Sequence, residues 1–458
     1  MSTEIGIGIP KNIKIRDYQG EAIRAWLSHE GCGILEMATG TGKTITSICG
    51  IVKLLEQYAL ADTPCGLVLV LPYKVLLEQW VDVLSDFGIH PLVCYESKAI
   101  WKSKLTSIVD LFNKGHRKSL FIATTNATFY TDDFQEELER ISGDYIFCID
   151  EMHHFATKSG VDLLPEKARF RLGLSATLMS KWSSENMDKL KAYFKNDIVY
   201  SFSLERAIKE GFLTPYYYHP VFVELTVEEK DEYYILSKKI GKAIASNDDI
   251  TDNEVLQSLL LKRARIITTA KNKYEMLKMM KNIIVGTKYN LFYCGDRIEA
   301  DERYVEKINK LLSFDFGIKS HTFTAAEDKK DRKYVLNTFA KGDIDAITAI
   351  RCLDEGVDIP QLRRAFILSS GTNPKEFIQR RGRILRKSEG KDMAEIYDFF
   401  VVPTLNQYEI KNMSSEEISA ERRILNREFD RFKEFADLSL NKEEAYSKII
   451  SIWNMYNN

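Results

Sequence analysis

Residues 34–44 read Ile34-Leu35-Glu36-Met37-Ala38-Thr39-Gly40-Thr41-Gly42-Lys43-Thr44, and an apolar, helix-like run follows from Ile45 to Leu55. The order is strand, glycine loop, helix. In that order the backbone N–H groups of the loop and of the helix N-terminus converge on one spot and hold phosphate oxygens. Gly40 and Gly42 let the backbone approach without a Cβ in the way. Together with Thr39 and Thr41 they form the loop itself. Lys43 is placed to reach the β- and γ-phosphates of a nucleotide, and Thr44 to offer a hydroxyl to Mg²⁺. The common pattern starts with Gly or Ala six residues before the lysine, where this chain has Met37. That difference is expected to affect loop packing rather than chemistry.

Further along, the apolar run Tyr145–Ile149 ends in Asp150-Glu151-Met152-His153-His154. The two acids therefore stand at the carboxyl end of a strand, where ligands bind in open α/β sheets. Adjacent acids suit two jobs: Asp150 can hold Mg²⁺, and Glu151 can orient and deprotonate an attacking water. A lone Asp-Glu pair reads as a strand-end turn, but after a phosphate loop it reads as the second half of an ATP site. His153 and His154 lack a partnered Cys or His nearby, which disfavours zinc. A coupling role for His153 fits better.

Short apolar runs followed by amphipathic stretches recur, among them Gly66–Leu71, Ser119–Ala123, Leu291–Cys294, Ala346–Ile350 and Ala365–Leu368. Such alternation predicts parallel sheets in an α/β fold. It occupies 1–215 and again 286–400. The intervening 216–285 is predicted as a helical segment, in which Thr226 and Glu229 have capping-box spacing. Residues 401–458 are predicted as a short helical extension. Between Lys262 and Lys281 seven basic residues face one acid, Glu275, which reads either as a solvated helical face or as a phosphate-facing surface.

Bulk properties exclude several classes. At 458 residues the chain is too long for one core. The net charge of −2 means that any phosphate contact comes from local basic surfaces. The seven cysteines are scattered, with no CxxC pair, which argues against a disulfide framework or a zinc module. No apolar run is long enough for a bilayer, and the start of the chain does not read as a signal peptide. A cytoplasmic protein is expected, nuclear if the source is eukaryotic, with no membrane partner.

These features, in this order, resemble the superfamily 2 helicases of DExH type, over about Ile15 to Arg386. Arg16–Ile23, RDYQGEAI, resembles the leading motif, which implies adenine-side contacts from Arg16 and Gln19. Leu67–Trp80, LVLVLPYKVLLEQW, and Thr124–Phe129, TTNATF, resemble motifs that touch a nucleic-acid backbone, implying contacts from Pro72, Gln79 and Thr125. Gly173–Thr177, GLSAT, resembles the motif that relays nucleotide state, through Ser175 and Thr177. Leu204–Tyr216 is similar to the family's exit from the first lobe, and Leu291–Asp296 to the opening of the second. Ala349–Pro360, AIRCLDEGVDIP, implies ribose and phosphate contacts from Gly356 and Asp358. Gln379–Arg386, QRRGRILR, fits QxxGRxxR. Arg383 and Arg386 lie three apart and would share one face of a helix, from which they can act as arginine fingers on the γ-phosphate. The acidic box DEMH and the LDEGVDIP stretch look closest to the TFIIH-type repair helicases and the motors of restriction enzymes.

The resemblance implies two tandem RecA-like lobes with ATP and Mg²⁺ held between them, and DNA as the track. RNA remains open as the substrate. A motor subunit of a restriction, phage-defence or repair complex, without unwinding of its own, remains open as the role. Oligomeric state is not legible in the sequence.

Overall fold

The computed structural model describes residues 6–176, 184–245, 254–295, 298–299, 302–324, 329–350, 359–369 and 374–457. The chain divides into two compact units, Met1–Glu210 and Gly211–Asn458.

The first unit is built on seven strands: β1 (Cys32–Met37), β2 (Cys65–Leu71), β3 (Leu92–Cys94), β4 (Ser119–Thr125), β5 (Tyr145–Ile149), β6 (Phe170–Ser175) and β7 (Ile198–Phe202). They form one sheet in the order β3-β4-β2-β5-β6-β1-β7. Every pairing is parallel. β1, β2 and β5 are buried at every residue. That is why they read as unbroken apolar runs rather than alternating ones. Helices Lys43–Leu60, Lys74–Asp86 and Lys98–Asn113 supply the crossovers. A core around Val68, Val70, Phe129, Phe134, Phe147 and Phe155 covers one face. Because all strands point the same way, every loop at a carboxyl end lies along one edge.

The second unit contains β8 (Tyr216–Glu224), β9 (Asn290–Tyr293), a short hairpin of β10 (Ile298–Glu299) and β11 (Glu302–Arg303), β12 (Ser320–Phe323), β13 (Ala346–Ala349), β14 (Arg364–Ile367) and β15 (Ala394–Val402). Six of these make a second parallel sheet in the order β12-β13-β9-β14-β15-β8. Both units are thus parallel α/β layers, the RecA-like architecture that the sequence implied.

Two boundaries differ from the sequence reading. Residues 216–224 are not helical; they are β8, an edge strand paired along its whole length with β15. Pro220 lies within this strand, and an edge strand tolerates a proline. The helices of 401–458 do not stand apart either. Helices Ser415–Ala436 and Lys442–Asn457 lie within the second unit, which runs unbroken to the end of the chain. The remainder of the inter-lobe segment is helical, over Val227–Ala245, Glu254–Thr268, Asn272–Met279 and Lys281–Ile284. The first of these begins at the capping box: Thr226 N–H donates to Glu229 Oε2 at 3.0 Å, and Glu229 N–H to Thr226 Oγ1 at 3.3 Å.

The basic run from Lys262 to Lys281 does not form one face. Lys273 is buried, and its ammonium donates to the Leu368 carbonyl at 2.7 Å. Burial pulls its pKa down to about 7. Lys278 pairs with Glu275, and Lys281 donates to the Asp315 carbonyl.

Near Lys273 a buried polar network ties helix Ser415–Ala436 to the sheet. Asp398 of β15 accepts from Tyr218 of β8 at 3.0 Å and from Arg431 Nε at 3.1 Å. Arg431 also pairs with Glu428 at 2.9 Å. Breaking a buried pair by removing one partner leaves an uncompensated charge, at a cost of about 3–5 kcal/mol. Arg431→Met should therefore destabilise the second unit by about that much. Hydrogen exchange across β15 and helix Ser415–Ala436 reads this, and unchanged protection there would contradict it.

Candidate active site

The phosphate loop follows directly from the end of β1. Met37 is its last residue and is fully buried, so the unusual side chain belongs to the core and not to the loop surface. Gly40 and Gly42 both have positive φ, 88° and 82°. At Gly42 a Cβ would also come within 2.9 Å of Gln19 Nε2. Thr41 is buried, its hydroxyl turned back to the Ala38 carbonyl at 2.7 Å. The Thr39 hydroxyl is buried without a hydrogen-bond partner. An orphaned donor in a loop whose glycines clear the approach fits a phosphate group.

Lys43 opens helix Lys43–Leu60. Its ammonium lies 3.0 Å from Asp150 Oδ1 and 2.9 Å from Glu151 Oε1. Burial alone would favour the neutral amine, but the two carboxylates override it and hold the pKa above its usual value. Burial pushes the Asp150 carboxyl up, and Lys43 opposes that. Asp150 follows β5, its N–H donating to the Val70 carbonyl of β2 at 3.1 Å. Glu151 sits in the left-handed region at φ 46°, ψ 50°, which turns its side chain back beside Asp150. His153 is buried, with Nδ1 3.5 Å from Glu151 Oε2. The carboxylate of Asp150 and the half-buried Thr44 are oxygen donors of the kind Mg²⁺ takes.

The leading motif braces the loop from the other side. Arg16 caps helix Asp17–Ser28, its N–H donating to Gln19 Oε1 at 3.0 Å. Gln19 Nε2 reaches the Gly42 carbonyl at 3.5 Å. Tyr18, which sequence reasoning passed over, donates to the Thr41 carbonyl and stacks on Phe202 with centroids 4.1 Å apart. Its place inside RDYQ was the available signal.

The remaining motif residues of this unit lie at carboxyl ends of neighbouring strands. Pro72 follows β2, and Gln79 is exposed on helix Lys74–Asp86. Thr125 ends β4 and is largely buried, capping the short helix Asn126–Phe129. Ser175 ends β6, fully buried and level with Glu36 of β1. Thr177 lies outside the described residues, as do Gly356 and Asp358 of the second unit.

Arg383 is on helix Pro374–Ile384, but Arg386 is not. The helix stops two residues earlier, and Arg386 forms an antiparallel bridge with Leu213. The shared-face argument therefore fails for this pair: Lys391, buried, donates to the carbonyls of both Ile384 and Arg386 at 2.6 Å and fixes the helix end there. Both arginines are half-buried.

A parallel α/β unit with a phosphate loop, an acidic strand end and a second unit of the same build defines a P-loop ATPase of the tandem RecA-like class. Two family descriptions match the chain: "Type III restriction enzyme, res subunit" over residues 12–180 and "Helicase conserved C-terminal domain" over 262–388. The chain is 26% identical over 402 residues to the DNA 3'-5' translocase XPB2 of Sulfurisphaera tokodaii, covering 83% of this chain and 80% of that protein. Its fold is similar to that of the ATP-dependent Type ISP restriction-modification enzyme LlaBIII bound to DNA, with a TM-score of 0.59 and 19% identity over 92% of this chain but 30% of that one. The Hef helicase domain of Pyrococcus furiosus gives a TM-score of 0.50 at 17% identity, over 87% of this chain and 98% of that one. The chain thus carries both of these family regions in order, resembles superfamily 2 helicases of the XPB and restriction-motor type, and is an ATP-hydrolysing enzyme. Among the described residues no helix is long and apolar enough to cross a membrane.

The lysine between two acids makes a stability prediction independent of nucleotide. In Lys43→Met the Asp150 carboxyl, already raised by burial, loses the charge that holds it down. A carboxyl whose folded pKa is raised supports the fold below its unfolded pKa, and that support is lost as pH rises through the folded value. The stability deficit of Lys43→Met relative to the parent should be small near about pH 4 and largest near about pH 8. Urea unfolding at the two pH values checks this; an equal deficit at both contradicts it.

Proposed function

We propose that this chain is an ATP-driven motor on DNA, acting as a translocase or helicase. The observation that carries the reading is the cluster of Lys43, Asp150 and Glu151 at the carboxyl edge of the first sheet. On this reading it supplies a phosphate-binding cation in contact with both a metal-binding carboxylate and a base. Support for DNA comes from the relative named as a DNA translocase and from the similar restriction enzyme bound to DNA.

On this reading ATP draws Lys43 from the carboxylates onto the β- and γ-phosphates, beside the loop N–H groups of Thr39, Gly40, Thr41 and Gly42. Arg16 and Gln19 take the adenine side. Asp150 and Thr44 hold Mg²⁺, which when bound neutralises charge on the β- and γ-phosphates. Glu151, with His153 at its far oxygen, accepts the proton of the attacking water. Gly356 and Asp358 contact ribose and phosphates. Arg383 and Arg386 stabilise charge on the γ-phosphoryl in the transition state. Pro72, Gln79 and Thr125 contact the nucleic-acid backbone, and His153, Ser175 and Thr177 link that track to hydrolysis. Backbone contacts position a strand without reading its bases, so little sequence preference is expected.

A second reading, a motor subunit that tracks DNA for a partner doing the cutting or choosing the target, is favoured by the restriction-enzyme family description. Strand displacement by the chain alone separates the two.

Two measurements test the main reading. Glu151→Gln should retain Mg²⁺-dependent ATP binding while turnover falls by about a hundredfold or more; parental turnover in this variant would remove Glu151 as the base. ATPase rate should rise with single-stranded, duplex or branched DNA more than with RNA. Stimulation by none of them would overturn the reading, and stimulation by RNA alone would reassign the track.

A further inference from the structure

Asp150 is 3% exposed, and both of its oxygens are engaged. Oδ1 faces Lys43 and accepts the Glu151 N–H at 2.8 Å. Oδ2 accepts the indole N–H of Trp80 at 3.0 Å. Trp80 is itself 1% exposed and among the largest fully buried side chains of the protein. An indole can only donate, and a buried ring cannot swing away. With the Glu151 N–H on Oδ1, this bond on Oδ2 fixes the rotation of the carboxylate about its own axis. Lys43 cannot do this once it turns to a phosphate, whereas Trp80 keeps its hold in either state.

Trp80 lies on helix Lys74–Asp86, one residue after the exposed Gln79. Successive helical residues point about 100° apart, so this helix turns one side chain to solvent and the next onto Asp150. The same segment touches the second acid by another route. The ring of Tyr73 is 5.6 Å from that of His154, and His154 is 4.3 Å from His153. His153 in turn meets Glu151. The segment Tyr73–Trp80 thus reaches both acids, directly at Asp150 and through two histidines at Glu151.

We propose that Trp80 is a positioning residue for the metal-binding carboxylate, and that through it a shift of helix Lys74–Asp86 on engaging nucleic acid is felt at the Mg²⁺ site. The inference rests on the reading of Asp150 as the Mg²⁺ carboxylate and of Gln79 as a nucleic-acid contact. Freed of the indole bond, Asp150 can turn away from the position the metal requires.

Trp80→Phe keeps the ring and removes the N–H. The Mg²⁺ concentration giving half-maximal ATPase should rise on the order of tenfold, the effect of one hydrogen bond to a charged group. Excess Mg²⁺ should recover most of the lost turnover. Mg²⁺-dependent binding of a fluorescent ATP analogue should shift in parallel, and DNA should lower the Mg²⁺ requirement of the parent more than that of the variant. An unshifted Mg²⁺ midpoint in a variant of parental urea stability overturns the proposal. Should the variant fold poorly, indole-¹⁵N spectra of the unmutated chain serve instead: one indole N–H resonance should move on adding Mg²⁺ and ATP, and should be displaced in Asp150→Asn. No such resonance overturns the proposal too. Asp150→Asn separates the failures. If it leaves the Mg²⁺ requirement unchanged, the underlying reading of Asp150 is wrong. If it abolishes Mg²⁺ dependence while Trp80→Phe does nothing, only the role of Trp80 is wrong.

Discussion

One ammonium between two carboxylates governs the first unit. The Lys43 ammonium lies within 3.0 Å of an oxygen of each acid, Asp150 and Glu151, in a place with little water. Two neighbouring acids at a strand end would repel and take up protons if left alone. The lysine opposes the rise that burial imposes on the Asp150 carboxyl, and the left-handed turn at Glu151 brings the second acid round to it. The cluster sets two acids against a single lysine. On the proposed function the excess of acid takes up a metal cation and the lysine passes to a phosphate.

What brings residues 43 and 150 together is sheet order rather than proximity in sequence. β5 and β1 are separated by β6 alone, and all three run the same way. The loops that leave β1, β2, β4, β5 and β6 emerge along a single edge. Residues spread from Thr39 to Ser175 become neighbours because parallel strands place every exit on one side. The buried strands carry no chemistry themselves; their rigidity is what lets Trp80, Tyr18 and Gln19 hold the site residues from behind.

The parts of this plan that were legible in the sequence are those in which local chemistry dictates local structure. The glycine loop of 37–44, the acidic strand end at 150 and the capping box at Thr226 each specify their own conformation, and each appears where expected. The parts that were not legible depend on partners far along the chain. β8 is a strand because β15 offers it an edge, in spite of Pro220. Lys273 is buried with its ammonium on the distant Leu368 carbonyl, and nothing in a run of basic residues singles it out. Arg386 leaves its helix because Lys391 and Leu213 hold it elsewhere. Trp80 stood at the end of a motif quoted in full, but the hydrogen bond to Asp150 that gives it meaning spans seventy residues.

The second unit shows how far such distant partners extend the working part of the chain. The helicase C-terminal family match stops at residue 388, yet β8 precedes it and β15 follows it. The helix bearing Arg383 is backed by helix Ser415–Ala436. Arg381, fully buried, donates to the carbonyl of Glu434 and pairs with its carboxylate at 2.6 Å, and Phe377 packs on Phe435. A buried guanidinium held by two acceptors on another helix leaves little freedom to rotate. The direction in which Arg383 leaves its helix is thus set in part by residues some fifty positions further on. A chain cut after the matched region would keep the QxxGRxxR sequence and lose what orients it.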